Sequence, residues 1–174
     1  MGRTLTIKKG GNNQFTKGWH TLAISGAKYG KFEDSSYIDV WFENFPDHFK
    51  MRLYAKKNKE GEEFAIGQLF RFANAGITEA LEGDGNNVVV KIDDEAIELV
   101  GKDVNVYFYK DAKGYTSVLQ QVAPTVFTNV VEEFNEDDVE YWKTKAEAYY
   151  ENYVLPKIET TSSNGVVTEE AIPF

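Results

Sequence analysis

The sequence predicts a mainly β fold: a five-stranded barrel with a helix between strands 3 and 4, a C-terminal helix and an acidic tail. Three observations carry that expectation. Apolar and polar residues alternate with period two in several short runs before residue 124, one segment at 62–81 switches to helical spacing, and the chain after Pro124 becomes rich in acid with a second helical stripe.

The elements follow in order. Residues 1–17 are polar, contain Gly10, Gly11, Asn12 and Asn13 in a row, and read as a flexible basic arm. Order is expected to start near Trp19, with a strand to Tyr29 that keeps Leu22 and Ile24 on one face. A second strand at 35–43 alternates Ile38, Val40 and Phe42 against Tyr37, Asp39 and Trp41; a third at 48–56 alternates Phe49, Met51 and Leu53 against Lys50, Arg52, Tyr54 and Lys56. Between Glu62 and Leu81, Ile66, Leu69, Phe70, Ala73, Ile77, Ala80 and Leu81 fall on a helical stripe that Gly67 and Gly76 can split in two. GDGNN marks a turn, Val88 to Ile92 a short apolar run, and Asp94 to Val100 a helical turn stopped at Gly101. A hairpin closes the region: Val104, Val106 and Phe108 alternate with Asn105, Tyr107 and Tyr109, DAKG turns, and residues 115–122 return before Pro124. Three strands, a helix and two strands is the layout of the OB-fold, a five-stranded barrel that commonly binds oligonucleotides; an open sheet with a helix on one face has the same element order. The expected units are the arm at 1–17, the OB-fold domain at 18–131, an acidic segment and amphipathic helix at 132–156, and a linker and tip at 157–174.

Composition bounds the function. The 174 residues carry no cysteine, which removes disulfides and thiolate chemistry and fits a reducing, cytoplasmic setting. No apolar run suggests a signal peptide or a membrane span. Gly2 and Thr6 fit the myristoylation pattern, but no second anchor accompanies them. The net charge of −9 hides a gradient: residues 1–60 hold 11 basic against 6 acidic side chains, and residues 132–174 hold 3 against 11. A basic half joined to an acidic tail is an asymmetry found in chains that meet nucleic acid.

The face opposite the expected core points the same way. If Ile38, Val40, Phe42, Phe49, Met51 and Leu53 point inward, then Tyr37, Trp41, Lys50, Arg52, Tyr54 and Lys56 point outward on two adjacent strands. Aromatic faces stack on bases while Lys and Arg follow phosphates, the combination that holds single-stranded nucleic acid. Tyr107 and Tyr109 extend the surface from the hairpin, and Trp19, Tyr29 and Lys31 from the first strand and its exit. Each aromatic has an ordinary alternative, covering a second core beneath a helix, and the lysines and arginine that of a solvated strand face.

Chemistry of other kinds finds little support. His20 and His48 lie in different strands without a carboxylate motif, so no catalytic or metal-binding residue is assigned. A nuclease would need Asp39, Asp93 and Asp94 gathered around a metal. No phosphate-binding loop or dinucleotide fingerprint occurs, and no cofactor is expected. The helix after the acidic run EEFNEDD places Val139, Trp142, Ala146, Tyr149 and Tyr153 on one stripe, ends before Pro156, and either docks on the barrel or binds a partner.

The chain ends Glu169-Glu170-Ala171-Ile172-Pro173-Phe174 after a polar linker at 158–168. This ending resembles the C-terminal tip of bacterial and phage single-stranded DNA-binding proteins (SSBs), where acidic residues precede a terminal Ile-Pro-Phe. Ala171 departs from that pattern, in which the position is usually acidic. The close match covers six residues; the barrel layout, linker and stacking face are similar in architecture only, and a phage-type relative fits best. The resemblance implies a non-enzymatic protein that coats single-stranded DNA with little sequence preference during DNA replication, recombination or repair. It also implies recruitment of replication and recombination proteins by Glu169, Glu170, Ile172, Pro173 and Phe174, and competition of the tail with DNA. The setting would be a bacterial or phage-infected cell, and a homo-oligomer is compatible with it. The competing expectation is an adaptor or structural β-protein that grips a partner through the same tail and has no nucleic-acid face.

Overall fold

The structure, a computed structural model, describes residues 2–6 and 14–160, so the tip at 169–174 lies outside the described residues. Nine strands and two main helices occur there: β1 (Gly18–Phe32), β2 (Ser35–Phe42), β3 (Lys50–Tyr54), α1 (Ala65–Phe72), β4 (Ile77–Glu82), β5 (Val88–Ile92), β6 (Asp103–Lys110), β7 (Thr116–Val118), β8 (Phe127–Thr128), β9 (Glu133–Phe134) and α2 (Glu136–Tyr149). The fold is mainly β. A curled half-barrel of five antiparallel strands, ordered β3-β2-β1-β6-β7, forms its centre, with β4-β5 and β8-β9 as separate two-stranded ribbons.

The length of β1 makes the curl. Its first half, Gly18 to Ala23, pairs with β6, while Ile24 to Phe32 pairs with β2, and the register shifts between Ile24 and Gly26. An extra residue in one strand bends it and increases its twist, so one strand serves two neighbours that face different ways. Alternation then sets the inside: Ile24, Ile38, Val40, Val104, Val106 and Phe108 are fully buried and meet Phe42, Met51, Leu69 and Phe70. The outer series of β2 and β3 is thereby fixed as the sequence predicts.

Two expectations change around α1. The helical stripe ends at Phe72, and residues 77–82 form β4, not a second helix. Asn74 adopts φ +55°, with Ala75 N–H donating to the Phe70 carbonyl and Asn74 N–H to that of Arg71. This is a Schellman stop, with a left-handed residue just past the helix. Gly76 follows at φ +66°, and a Cβ there would lie 2.0 Å from the Asp93 carbonyl oxygen. Only glycine lets the chain turn so close to β5, and the GDGNN turn then folds Val88–Ile92 back onto β4. At the other end of α1, the Glu63 carboxylate accepts from the N–H groups of Ile66 (2.9 Å) and Gly67 (3.0 Å).

The C-terminal helix also differs from expectation. Asn135 and Asp138 form a capping box at its start, the side chain of each accepting from the other's N–H at 2.9 Å. The helical course does not stop before Pro156: α2 passes into a π-turn at Tyr150–Val154 and an α-helical turn at 155–160. The helical course is unbroken across this point, with Tyr149 and Leu155 both in helical conformation, and the wider π-turn just before Pro156 is the local adjustment that takes a ring without an N–H. Arg71 fastens the α2 entrance: its guanidinium donates to Glu132 at 2.7 and 2.8 Å and lies 5.4 to 5.5 Å from the rings of Phe72, Phe134 and Trp142. The expected basic arm is anchored at its end, since Phe15 packs edge-on against Phe45 and Phe49.

Among the described residues, no helix is long and apolar enough to cross a membrane.

Candidate nucleic-acid interface

The outer face of β1, β2 and β3 is assembled by register. Antiparallel partners share a face, so Gly26, Lys28 and Gly30 stand beside Trp41, Asp39 and Tyr37, which stand beside Lys50, Arg52 and Tyr54. The two glycines decide how the aromatics lie. A Cβ on Gly30 would come within 2.5 Å of the Tyr37 ring, and one on Gly26 would touch Trp41 at 3.8 Å. Both rings thus lean over bare backbone on the neighbouring strand. Tyr54 meets Tyr37 edge-on at 5.6 Å, and the Trp41 indole N–H donates to the Asp47 carbonyl at 2.8 Å.

The charges on this face are organised around Asp39. Its residue is only 6 % exposed, Arg52 donates to both carboxylate oxygens at 2.8 and 3.0 Å, and the Lys50 ammonium sits at 3.2 Å. Burial alone would push the Asp39 carboxyl up; hydrogen bonds and charge from Arg52 and Lys50 outweigh it and hold the group below the usual carboxylate range. The Arg52 guanidinium is pushed up mainly by its hydrogen bond to Asp39. It also lies 3.8 Å from the Tyr37 ring centroid, and Lys50 lies 5.6 Å from that of Trp41. Two cations share one carboxylate, so the triad carries a single net positive charge, to which exposed Lys28 adds a second from β1.

The other predicted positions go elsewhere. Trp19, Tyr107 and Tyr109 lie on the same outer face by register, but the C-terminal helix covers them. The Trp19 indole N–H donates to Glu147 at 2.7 Å, Trp19 packs on Tyr107 at 5.2 Å, and Tyr150 packs on Tyr107 at 5.4 Å and on Tyr109 at 5.3 Å. Burial pushes the Tyr107 and Tyr109 hydroxyls up. Their rings are used inside the fold, the alternative the sequence also allowed.

Tyr29 pairs with core residue Ile38 and thus belongs to the inner side of the sheet edge; its hydroxyl donates to the Asp94 carbonyl at 2.6 Å. Burial, with Asp94 and Glu63 nearby, raises that hydroxyl to about 12. Lys31, two residues on, falls on the side of Tyr29 and away from Trp41. Lys56 lies just past β3, with its ammonium 5.6 Å from the Tyr149 ring of α2.

Neither histidine stands in a constellation: His20 stacks on Phe108 at 4.1 Å, and its Nε2 is 2.6 Å from the Thr16 carbonyl. Asp39, Asp93 and Asp94 do not gather; among the described residues, no group of three or more His, Cys, Asp or Glu is placed to hold a metal ion.

The structure therefore brings together Tyr37, Trp41, Lys50, Arg52 and Tyr54 from the predicted set and adds Gly26, Lys28, Gly30 and Asp39. The added residues were unreadable as a group, since only the β1–β2 register puts the GAKYG stretch beside YIDVW. No family model matches this chain, and no curated protein is significantly similar to it in sequence.

Proposed function

We propose that the protein binds single-stranded DNA on the outer face of β1, β2 and β3, without strong sequence preference and without catalysing a reaction. The observation that carries the reading is the Trp41–Tyr37–Tyr54 strip interleaved with Lys28, Lys50 and Arg52 on one continuous sheet face. Aromatic faces accept any base, and the neighbouring cations accept the phosphates between them. Support also comes from connectivity. In an OB barrel the long first strand bends to pair with both the second and the fourth; β1 bends between β2 and β6 in the same way, which favours an OB-type barrel whose fourth strand is β6. The SSB-like segment would then recruit replication and recombination proteins, with Ile172 and Phe174 entering an apolar pocket and Glu169 and Glu170 facing its basic rim.

One observation favours a second reading. Lys50 and Arg52 are both engaged by Asp39, which leaves the face less positive than its sequence suggests. A structural or adaptor β-protein needs no more than that, and would act through its acidic tail alone.

Fluorescence anisotropy of a labelled dT oligonucleotide, titrated with full-length protein at several salt concentrations, separates the two. Binding that weakens steeply with salt and exceeds duplex binding supports the first. Absence of binding at low salt, in the full chain and in one ending at Thr160, leaves the adaptor.

A further inference from the structure

A groove of about 700 Å³ opens where β3 and the chain after β7 come together without a backbone ladder, between α1 and the C-terminal helix. Its lining is largely apolar and aromatic: Leu69 and Phe72 are buried beneath it, and Trp142, Tyr149 and the exposed Tyr153 run along the helix side. Lys56 and Lys145 lie at its sides, and neither has an acidic partner among the described residues. In a chain of net charge −9, a groove lined by two lysines and no aspartate or glutamate is set up for an anion. Gln68, Gln121 and Asn152 add amides able both to donate and to accept, as the edge of a base requires.

The groove is continuous with the sheet face. Lys56 follows Tyr54 at the exit of β3 and lines the groove, with Tyr149 at 5.6 Å, and the Gln120 amide at its rim donates to the Arg52 carbonyl at 2.7 Å. We infer that this groove continues the DNA path: a strand crossing Trp41, Tyr37 and Tyr54 passes Lys56 and places further bases against Tyr149, Tyr153 and Trp142, with phosphates at Lys56 and Lys145. The inference rests on the single-stranded DNA reading above and adds the C-terminal helix to the binding surface.

The three tryptophans, Trp19, Trp41 and Trp142, report on three places: beneath the C-terminal helix, on the open face and in the groove. Full-length protein carrying 5-fluorotryptophan, with resonances assigned from single Trp→Phe variants, is titrated with dT oligonucleotides of about 4 and about 16 nucleotides. The short oligonucleotide should shift Trp41 alone and the long one Trp41 and Trp142. Lys145→Glu should abolish the Trp142 shift and weaken the long oligonucleotide by about fivefold or more while sparing the short one. Lys145→Gln should fall between, and unchanged urea midpoints exclude unfolding as the cause.

A Trp142 resonance that stays fixed while Trp41 shifts overturns the groove and leaves the face standing. If neither moves and no binding occurs, the reading of the face fails with it. A Trp142 shift produced by a peptide of residues 169–174 but not by DNA overturns the inference in favour of an acidic, apolar peptide site.

Discussion

Asp39→Asn should make the protein less stable and its DNA binding tighter. The substitution keeps the shape of the side chain and removes the charge that Arg52 and Lys50 share. Asp39 is nearly buried, but Lys50 and Arg52 keep 35 % and 34 % of their side-chain surface, so water compensates them in part. The loss at neutral pH is therefore about 1–2 kcal/mol, below that of a fully buried pair. The pH dependence has a fixed sign. A carboxyl held below its ordinary value stabilises the fold above the unfolded-state pKa, and that contribution is lost as pH falls through the folded value. The gap between the two proteins should thus be widest near neutrality and close in acid.

Binding should move the other way. Removing one negative charge about 7 Å from a phosphate in a water-like medium is worth about 0.6 kcal/mol, or about threefold in affinity. One cation released to the DNA should steepen the salt slope by about 0.7. Urea denaturation at several pH values and anisotropy at several salt concentrations measure both effects. Equal stability at neutral pH would show that the triad does not hold in solution. Weaker binding would show that Asp39 matters for aiming Arg52 over Tyr37, and would refute the charge argument.

Tyr37→Ala and Trp41→Ala should each weaken dT binding by about 1–3 kcal/mol with little change in salt slope, by anisotropy. A chain ended at Thr160 should bind DNA more tightly than the full chain at low salt if the acidic tail competes; equal affinities would assign the tail to partners alone. Gly76→Ala should lower stability by at least about 2 kcal/mol, because the Cβ meets the Asp93 carbonyl and φ is +66°, as thermal unfolding would read. Asn135→Ala removes half of the α2 capping box and should cost about 1 kcal/mol in the same assay.

Alternation made the central strands legible. Ile38, Val40 and Phe42 against Tyr37, Asp39 and Trp41 fix a face whatever the neighbours are, and the structure keeps that division. The stripe past Ala73 misled for a local reason: Ile77, Ala80 and Leu81 satisfy a helical period, but Asn74 and Gly76 take left-handed conformations that end the helix. The run across Pro156 misled for another, because the π-turn before it carries the helical course past a proline that usually marks an end. Pairing lies beyond a single sequence. That Lys28 stands beside Asp39, or that glycines seat Tyr37 and Trp41, follows from the β1–β2 register.

The two groups of aromatics on this sheet make the deeper point. Trp19, Tyr107 and Tyr109 have the same strand parity and outward direction as Tyr37 and Trp41. What separates them is the C-terminal helix, whose Glu147 accepts the Trp19 N–H from 128 residues along the chain and whose continuation sets Tyr150 against both tyrosines. The cover also places carboxylates over that half of the sheet: Glu147 and Glu151 both act on Tyr107. The side left open carries Lys28, Lys50 and Arg52. Lys143 lies 5.6 Å from the Trp19 ring in the covered half, but two carboxylates outnumber it there, so the C-terminal helix divides one aromatic surface into a closed half with a net acidic cover and an open, cation-bearing half better suited to phosphate. If the helix is this divider, Glu147→Gln should loosen its seat on Trp19 and alter tryptophan emission while leaving the affinity for a dT oligonucleotide of about 4 nucleotides, which reaches the open face alone, within about twofold. A large loss of affinity would mean that the covered half belongs to the binding surface after all.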